Sequence, residues 1–92
     1  MIVRIATEGQ FELDDGEAAR LNELDNAVVA AVDAGNEDDF RRLYEEMIER
    51  VRSKGRTVPD EELVESDVIL PPPDLSFVEA GEEFSGDGII PG

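Results

Sequence analysis

Carboxylates are the most abundant chemical groups in this sequence, and the segment 83–90 comes nearest to a known ligand motif. Five of its residues fall on positions 1, 3, 5, 6 and 8 of an EF-hand calcium loop, namely Glu83, Ser85, Asp87, Gly88 and Ile90. Such a loop also needs a bidentate acid at position 12 and a helix after it, whereas the sequence ends at Gly92. The pattern therefore favours a turn with a packed apolar end over a calcium site.

The residue types that are missing exclude most catalytic mechanisms. Without His or Cys, the chain has no thiolate nucleophile, no His general base and no zinc site of the usual Cys/His type. With 24 acids in 92 residues, neighbouring carboxylates such as Asp14–Asp15 and Asp38–Asp39 arise by chance, and most of them lie at predicted helix caps. No nucleophile stands beside a base, and no glycine loop could cradle phosphate. We therefore expect no enzymatic activity, no cofactor and no metal site.

The net charge of −16 limits the possible partners. Phosphates would repel so acidic a surface, which argues against binding to nucleic acid or to anionic lipid. The longest apolar run, at 27–32, is far too short to cross a bilayer. We expect a soluble, cytoplasmic protein without direct membrane insertion. We interpret the acidic surface mainly as a feature that keeps the protein soluble. The alternative interpretation is a surface that binds a basic protein.

The first elements that could position these groups are two short strands. The apolar fraction of 40% is sufficient for folding, and the length fits one domain over residues 1–92. Apolar and polar residues alternate over 1–6 and again over 10–13. Between them, Thr7, Glu8 and Gly9 form a turn in which glycine can take a positive φ. This pattern predicts a β-hairpin.

Two amphipathic helices are predicted next. Asp14 and Glu17 form a capping pattern at the start of the first helix, and Gly35 ends it. Asn36 caps the second helix, in which acid-first pairs such as Glu46–Arg50 are spaced for ion pairing. So short a connection predicts an antiparallel αα-hairpin. The apolar stripes comprise Ala18, Leu21, Leu24, Val28, Ala31 and Val32 in the first helix, and Phe40, Leu43, Tyr44, Met47, Ile48 and Val51 in the second.

The C-terminal third alternates between irregular and ordered segments. Residues 56–67 are polar and are predicted to be irregular, while 68–70 is predicted to be extended, with a third strand possible there. Ser76 and Glu79 form a capping box that opens a last helix of about two turns, and glycines end the chain in turns. The predicted fold class is therefore α+β.

The segment VILPPPDLSFV at 68–78 is the candidate binding site. Its prolines can preorganise a contact for a partner, or they can simply close a lid over the core. We predict that Val68, Ile69 and Phe77 pack inward. The remaining part, an exposed rigid edge for a partner, would comprise Leu70, Pro71, Pro72 and Pro73. Alternation in an extended segment puts Val68 on the same face as Leu70, which conflicts with part of this assignment.

The order of these motifs resembles the PspA-associated protein (PspAA) family over nearly the whole chain. The resemblance is carried by MIVRI, GQFELDD, LNELDNAVVAAVDAGNEDDFRRL, PDEELVESDVILPPPDLS and the terminal DGIIPG. It implies a non-enzymatic, cytoplasmic companion that binds or regulates PspA, the coiled-coil protein of the envelope-stress response, and that PspA could hold at the membrane periphery. It implies no catalytic or ligand residue. The alternative function is an acidic regulator that mimics nucleic acid and binds a basic protein.

Overall fold

Alternating side chains at the start of the chain form a β-hairpin, as predicted. The computed structural model describes residues 1–62 and 64–84. Strand β1 spans Ile2–Ile5 and strand β2 spans Gly9–Glu12, and the two pair antiparallel. Thr7, in the turn between them, has φ 78°, and Gly9, the first residue of β2, has φ 109°. Glycine adopts this region freely, whereas a β-branched residue is strained in it, so the turn is held by its surroundings.

Two further strands complete a four-stranded sheet. Strand β3 spans Arg56–Val58 and pairs antiparallel with β2. Strand β4 spans Val68–Leu70 and pairs parallel with β1, so the strand order is β3-β2-β1-β4. The extended segment predicted at 68–70 is confirmed, and the strand given as possible there is β4. The prediction that 56–67 is irregular is wrong for β3 and for a short 3-10 helix at Asp60–Glu62. Only one residue of β3 is apolar, so the sequence shows no hydrophobic pattern for this strand. Strand β3 forms because its backbone pairs with the edge of β2.

The three helices begin at the predicted caps. Helix α1 spans Asp15–Asp33, helix α2 spans Glu37–Lys54 and helix α3 spans Phe77–Glu83. A polar side chain before each helix accepts a hydrogen bond from a backbone N–H in the first turn, and these capping residues are Asp14, Asn36 and Ser76. Each such bond satisfies a donor that has no partner inside the helix.

A tight turn folds the first two helices against each other. Gly35 has φ 70°, its N–H donates to the carbonyl oxygen of Val32, and the N–H of Asn36 donates to that of Ala31. These two bonds form a Schellman motif, which requires the left-handed conformation that glycine tolerates. The predicted αα-hairpin is confirmed. Charged pairs join the helices, with Arg50 Nε 2.8 Å from Glu17 and Arg20 3.3 Å from Glu46.

The hydrophobic core lies between the helices and one face of the sheet. The sheet contributes residues that alternate toward the helices, and Asp25 of α1 is also fully buried. The apolar residues that are almost completely buried in this core include Val3, Ile5, Leu21, Leu24, Val28, Phe40, Tyr44, Met47, Ile48, Val51, Val68, Leu70 and Phe84.

The segment that follows β3 lies over part of the opposite face of the sheet. Gln10 points to that face, where its side-chain amide donates to the carbonyl oxygen of Val64 at 2.8 Å and to the hydroxyl of Ser66 at 2.9 Å. Val58 lies opposite Gln10 in the register and is 4% exposed. The segment after β3 thus shields part of this face from solvent, while the main core lies on the face that contacts the helices.

Candidate functional site

The structure corrects the predicted orientation of the segment 68–70. Val68 is buried, as predicted, but Leu70 is fully buried and Ile69 is 60% exposed. The predictions that Leu70 forms an exposed edge and that Ile69 packs inward are therefore wrong. The reason is the pairing of β4 with β1, because alternation along a strand sends residues 68 and 70 to the helical face and residue 69 to the other.

The three prolines turn the chain from the sheet back to the helices. Pro71 and Pro72 are half-buried and Pro73 is exposed. The N–H of Leu75 donates to the carbonyl oxygen of Pro72 at 3.1 Å, so Pro73 takes the second position of a β-turn, where a fixed φ is favourable. Leu75 then returns to the core. Whether this proline turn binds a partner stays a prediction.

Helix α2 holds the proline turn at both ends. The phenol of Tyr44 donates a hydrogen bond to the carbonyl oxygen of Pro71, and the guanidinium of Arg41 donates to the carbonyl oxygen of Leu75. Burial, together with the nearby Glu83 carboxylate, raises the pKa of Tyr44 well above its usual range, so its hydroxyl remains a donor. The position of the prolines is thus fixed by the helix beside them.

Aromatic rings pack around Tyr44, which binds the proline turn. The rings of Phe40 and Tyr44 are stacked with centroids 5.6 Å apart, and Phe84 meets Tyr44 edge-on at 5.5 Å. Phe77 at the start of α3 is half-buried and lies 5.7 Å from Phe40, so its predicted inward packing is confirmed. The ring of Tyr44 is therefore packed against both Phe40 and Phe84.

A groove of about 430 Å³ runs between α2 and the proline turn. Of the residues that line it, Tyr44 and Ile48 are almost completely buried, and the other four are exposed. The residues that line it are Tyr44, Glu45, Ile48, Glu49, Arg52 and Pro73. Of the four predicted binding residues, the structure places Pro73 in this groove, while Leu70 lies in the core. This groove is the candidate functional site.

One end of the groove is set by an ion pair with the hairpin turn. Arg52 binds Glu8 through two guanidinium nitrogens. The hydrogen bond with Arg52 lowers the pKa of Glu8, and the same bond raises the pKa of Arg52, because each charge stabilises the other. Both groups therefore stay charged at neutral pH, and the turn is tied to the last turn of α2.

The rest of the site was not predicted from the sequence. Tyr44 and Ile48 belong to an apolar stripe that indicated core, while Glu45, Glu49 and Arg52 matched an ordinary solvated helix face. The only available signal was Tyr44, the single tyrosine of the chain, whose hydroxyl needs a partner when buried. The acceptor of this hydrogen bond, the carbonyl oxygen of Pro71, is 27 residues away in the sequence, so only the tertiary structure identifies it.

The described residues offer no evident metal site. Across residues 1–62 and 64–84, no group of three or more acidic, His or Cys side chains is placed to hold a metal ion. The EF-hand-like pattern at 83–90 and the terminal turn fall mostly outside the described residues, so the expectation about calcium stays a prediction. Likewise, none of the helices in the described part is long and apolar enough to cross a membrane.

Taken with the groove, the fold defines a small α+β domain with a helical hairpin on one face of a mixed sheet. The family model of the PspA-Associated proteins, PspAA, matches residues 1–92. The chain therefore belongs to the PspAA family, as the resemblance indicated. Searches of curated proteins and of solved structures gave no match.

Proposed function

We propose that this chain is a non-enzymatic interaction module that binds a PspA-like coiled-coil protein through the groove between α2 and the proline turn. The observation that supports the proposal most directly is this groove, because it is a preformed surface concavity whose wall includes the exposed Pro73. Membership of a family named for its association with PspA supports the choice of partner.

The proline turn gives the groove a preorganised wall. Pro73 is the exposed apolar residue that lines it, and one apolar side chain of a coiled coil can pack against this proline. Pro73 is exposed but held in a turn whose ends are bonded to α2, so little conformational entropy is lost when a partner contacts it. Of the four residues predicted to bind a partner, the proposal keeps Pro73, which lines the groove.

The proposal includes no catalysis, no cofactor and no contact with nucleic acid. The absence of His and Cys from the sequence supports the first two points, and the net charge of −16 supports the third. In this proposal the complex forms in the cytoplasm, and PspA supplies any contact with the membrane.

An acidic regulator that mimics nucleic acid is the second candidate function. The charge of −16 favours it, since such a surface attracts basic proteins. Capture experiments separate the two candidates, because a nucleic-acid mimic would retain DNA-binding proteins whereas the proposed module would retain PspA.

The direct test measures binding of purified PspA from the same genome to the wild-type chain and to two matched variants. Pro73→Glu adds a carboxylate to the wall of the groove, and Val78→Glu adds one at a residue of α3 that is 79% exposed and does not line it. We expect Pro73→Glu to weaken binding about tenfold, and Val78→Glu to bind like the wild type. Thermal melts confirm that both variants fold. Failure of the wild-type chain to bind PspA would overturn the proposal.

A further inference from the structure

The turn of the β-hairpin holds a strained backbone conformation. The carbonyl oxygen of Ile5 accepts a hydrogen bond from the N–H of Glu8 at 2.9 Å, so residues 5–8 form a β-turn with Thr7 at its third position. The φ of 78° at Thr7 is that of a type II turn, in which this position favours glycine. A β-branched residue is destabilised there, and such strain persists only where surrounding contacts maintain it.

Contacts on both sides of Thr7 maintain this conformation. Before it, the N–H of Ala6 donates to the carbonyl oxygen of Leu70 at 2.9 Å. After it, the carboxylate of Glu8 accepts hydrogen bonds from two guanidinium nitrogens of Arg52. The side chain of Thr7 is exposed, so its own packing does not hold the turn. The bond from Ala6 continues the pairing of β1 with β4, whereas the ion pair is partly exposed and can break without disturbing the sheet.

Breaking this ion pair changes the groove as well as the turn. Arg52 lines the groove, and its guanidinium lies 4.0 Å from the carboxylate of Glu49, another lining residue. While Glu8 binds Arg52, the positive charge at this end of the groove is balanced from within the chain. Once Glu8 withdraws, a group bound in the groove can replace it on the guanidinium. A carboxylate suits this position, because Glu8 already binds there through two nitrogens.

We propose that the hairpin turn is a two-state element that controls the charge at the Arg52 end of the groove. In the closed state, Glu8 binds Arg52 and Thr7 keeps the strained conformation. In the open state, the ion pair is broken, Thr7 adopts an ordinary backbone conformation, and Arg52 is free to bind a carboxylate in the groove. The strain favours opening and the ion pair favours closing, so together they set the population of each state. Both states belong to the free chain, so the proposal does not depend on the partner that binds the groove.

Amide hydrogen exchange, followed by NMR, tests the proposal in the free protein. The N–H of Glu8 bonds to the carbonyl oxygen of Ile5, so its exchange reports opening of the turn. The N–H of Leu13 bonds to the carbonyl oxygen of Met1 at the other end of the hairpin, so its exchange reports the hairpin as a whole.

Three variants are compared with the wild type. Arg52→Gln removes the ion pair, and adding Thr7→Gly in that background removes the strain as well. Arg56→Gln is the matched control, because it changes the net charge by the same amount and breaks an ion pair with Glu12 of the same hairpin. Circular dichroism melts check that all three variants fold.

We expect Arg52→Gln to speed exchange at Glu8 at least about threefold, with exchange at Leu13 unchanged. Arg56→Gln should leave exchange at Glu8 as in the wild type. Arg52→Gln/Thr7→Gly should return exchange at Glu8 to the wild-type rate, because a turn with glycine closes without strain.

Three outcomes contradict the proposal. Unchanged exchange at Glu8 in Arg52→Gln would show that the ion pair does not hold the turn. Faster exchange that Thr7→Gly fails to reverse would show that strain does not open it. An equal increase at Leu13 would assign the effect to the whole hairpin and would overturn a local two-state turn.

Discussion

The phenol of Tyr44 donates a hydrogen bond to the backbone carbonyl oxygen of Pro71, and this bond joins the middle of α2 to the start of the proline turn. The acceptor belongs to the residue that follows β4, so the bond also connects the helical hairpin to the edge of the sheet. A change at Tyr44 should therefore affect both the stability of the domain and the wall of the groove.

The first prediction concerns stability at alkaline pH. The pKa of Tyr44 is raised above its usual value of 10, chiefly by burial and also by Glu83. Between pH 10 and that higher pKa, the unfolded chain loses the phenolic proton while the folded chain keeps it, so the free energy of unfolding falls as pH rises. We expect Tyr44→Phe to be less stable than the wild type by about 1 kcal/mol at pH 7, because the bond to Pro71 is lost.

The same prediction requires this difference to shrink above pH 10, since phenylalanine cannot ionise. Urea denaturation of both proteins across the alkaline range measures it. Tyr44 is the only tyrosine, so tyrosinate absorbance reports its ionisation alone. A stability difference that stays constant through pH 11 would show that the Tyr44 hydroxyl is not buried as described.

The second prediction concerns the close approach of α2 to the sheet at Gly55. Its φ of −84° suits any residue, so space and not backbone conformation requires glycine here. A Cβ at this position would lie 2.6 Å from the carbonyl oxygen of Val51 and 2.9 Å from Cβ of Phe11. We expect Gly55→Ala to destabilise the domain by about 1–3 kcal/mol, because backbone and core must shift.

Gly81 supplies the matched control for this substitution. It lies inside α3, and a Cβ there would meet nothing within 4 Å. Gly81→Ala should therefore leave stability unchanged or raise it by up to about 1 kcal/mol, through the better helix propensity of alanine. Thermal melting of both variants checks the pair. Equal melting temperatures for the two would contradict the steric argument.

Much of the fold was predictable because local sequence and tertiary structure agree. Asp14, Asn36 and Ser76 cap the helices where the spacing indicated, and Gly35 ends α1 in the expected conformation. Alternation predicted the hairpin, and the rule for residues before proline predicted an extended segment that ends at Leu70. These features depend on residues within a few positions of one another.

The candidate site was harder to predict because it depends on contacts between distant parts of the chain. Glu46 and Arg50 have the spacing of an ion pair within α2, but each pairs with a residue of α1 instead. Arg52 likewise pairs with Glu8, 44 residues away. These ion pairs determine which carboxylates at the groove are left without a basic partner. The ion pairs depend on how the helices are placed in the fold, and sequence spacing does not predict them.

The last prediction separates the buried and exposed sides of β4. Leu70 is fully buried between the sheet and the helices, whereas Ile69, its neighbour in the chain, is 60% exposed on the other face. Removing buried methyl groups leaves a cavity, so we expect Leu70→Ala to lower the free energy of unfolding by about 2–5 kcal/mol. Ile69→Ala should change it by less than about 1 kcal/mol, because most of the side chain is already in water.

Binding measurements on the same two variants then distinguish the core from the contact surface. At a temperature where both variants are folded, neither should lose affinity for PspA, because neither residue lines the groove. Urea denaturation gives the stabilities, and calorimetric titration gives the affinities. A loss of binding in Ile69→Ala with unchanged stability would move the contact surface from the groove to the opposite face of the sheet, where Arg4 lies beside Ile69 in the register. If Leu70→Ala had only a marginal effect on stability, the result would instead support the original prediction that Leu70 is exposed.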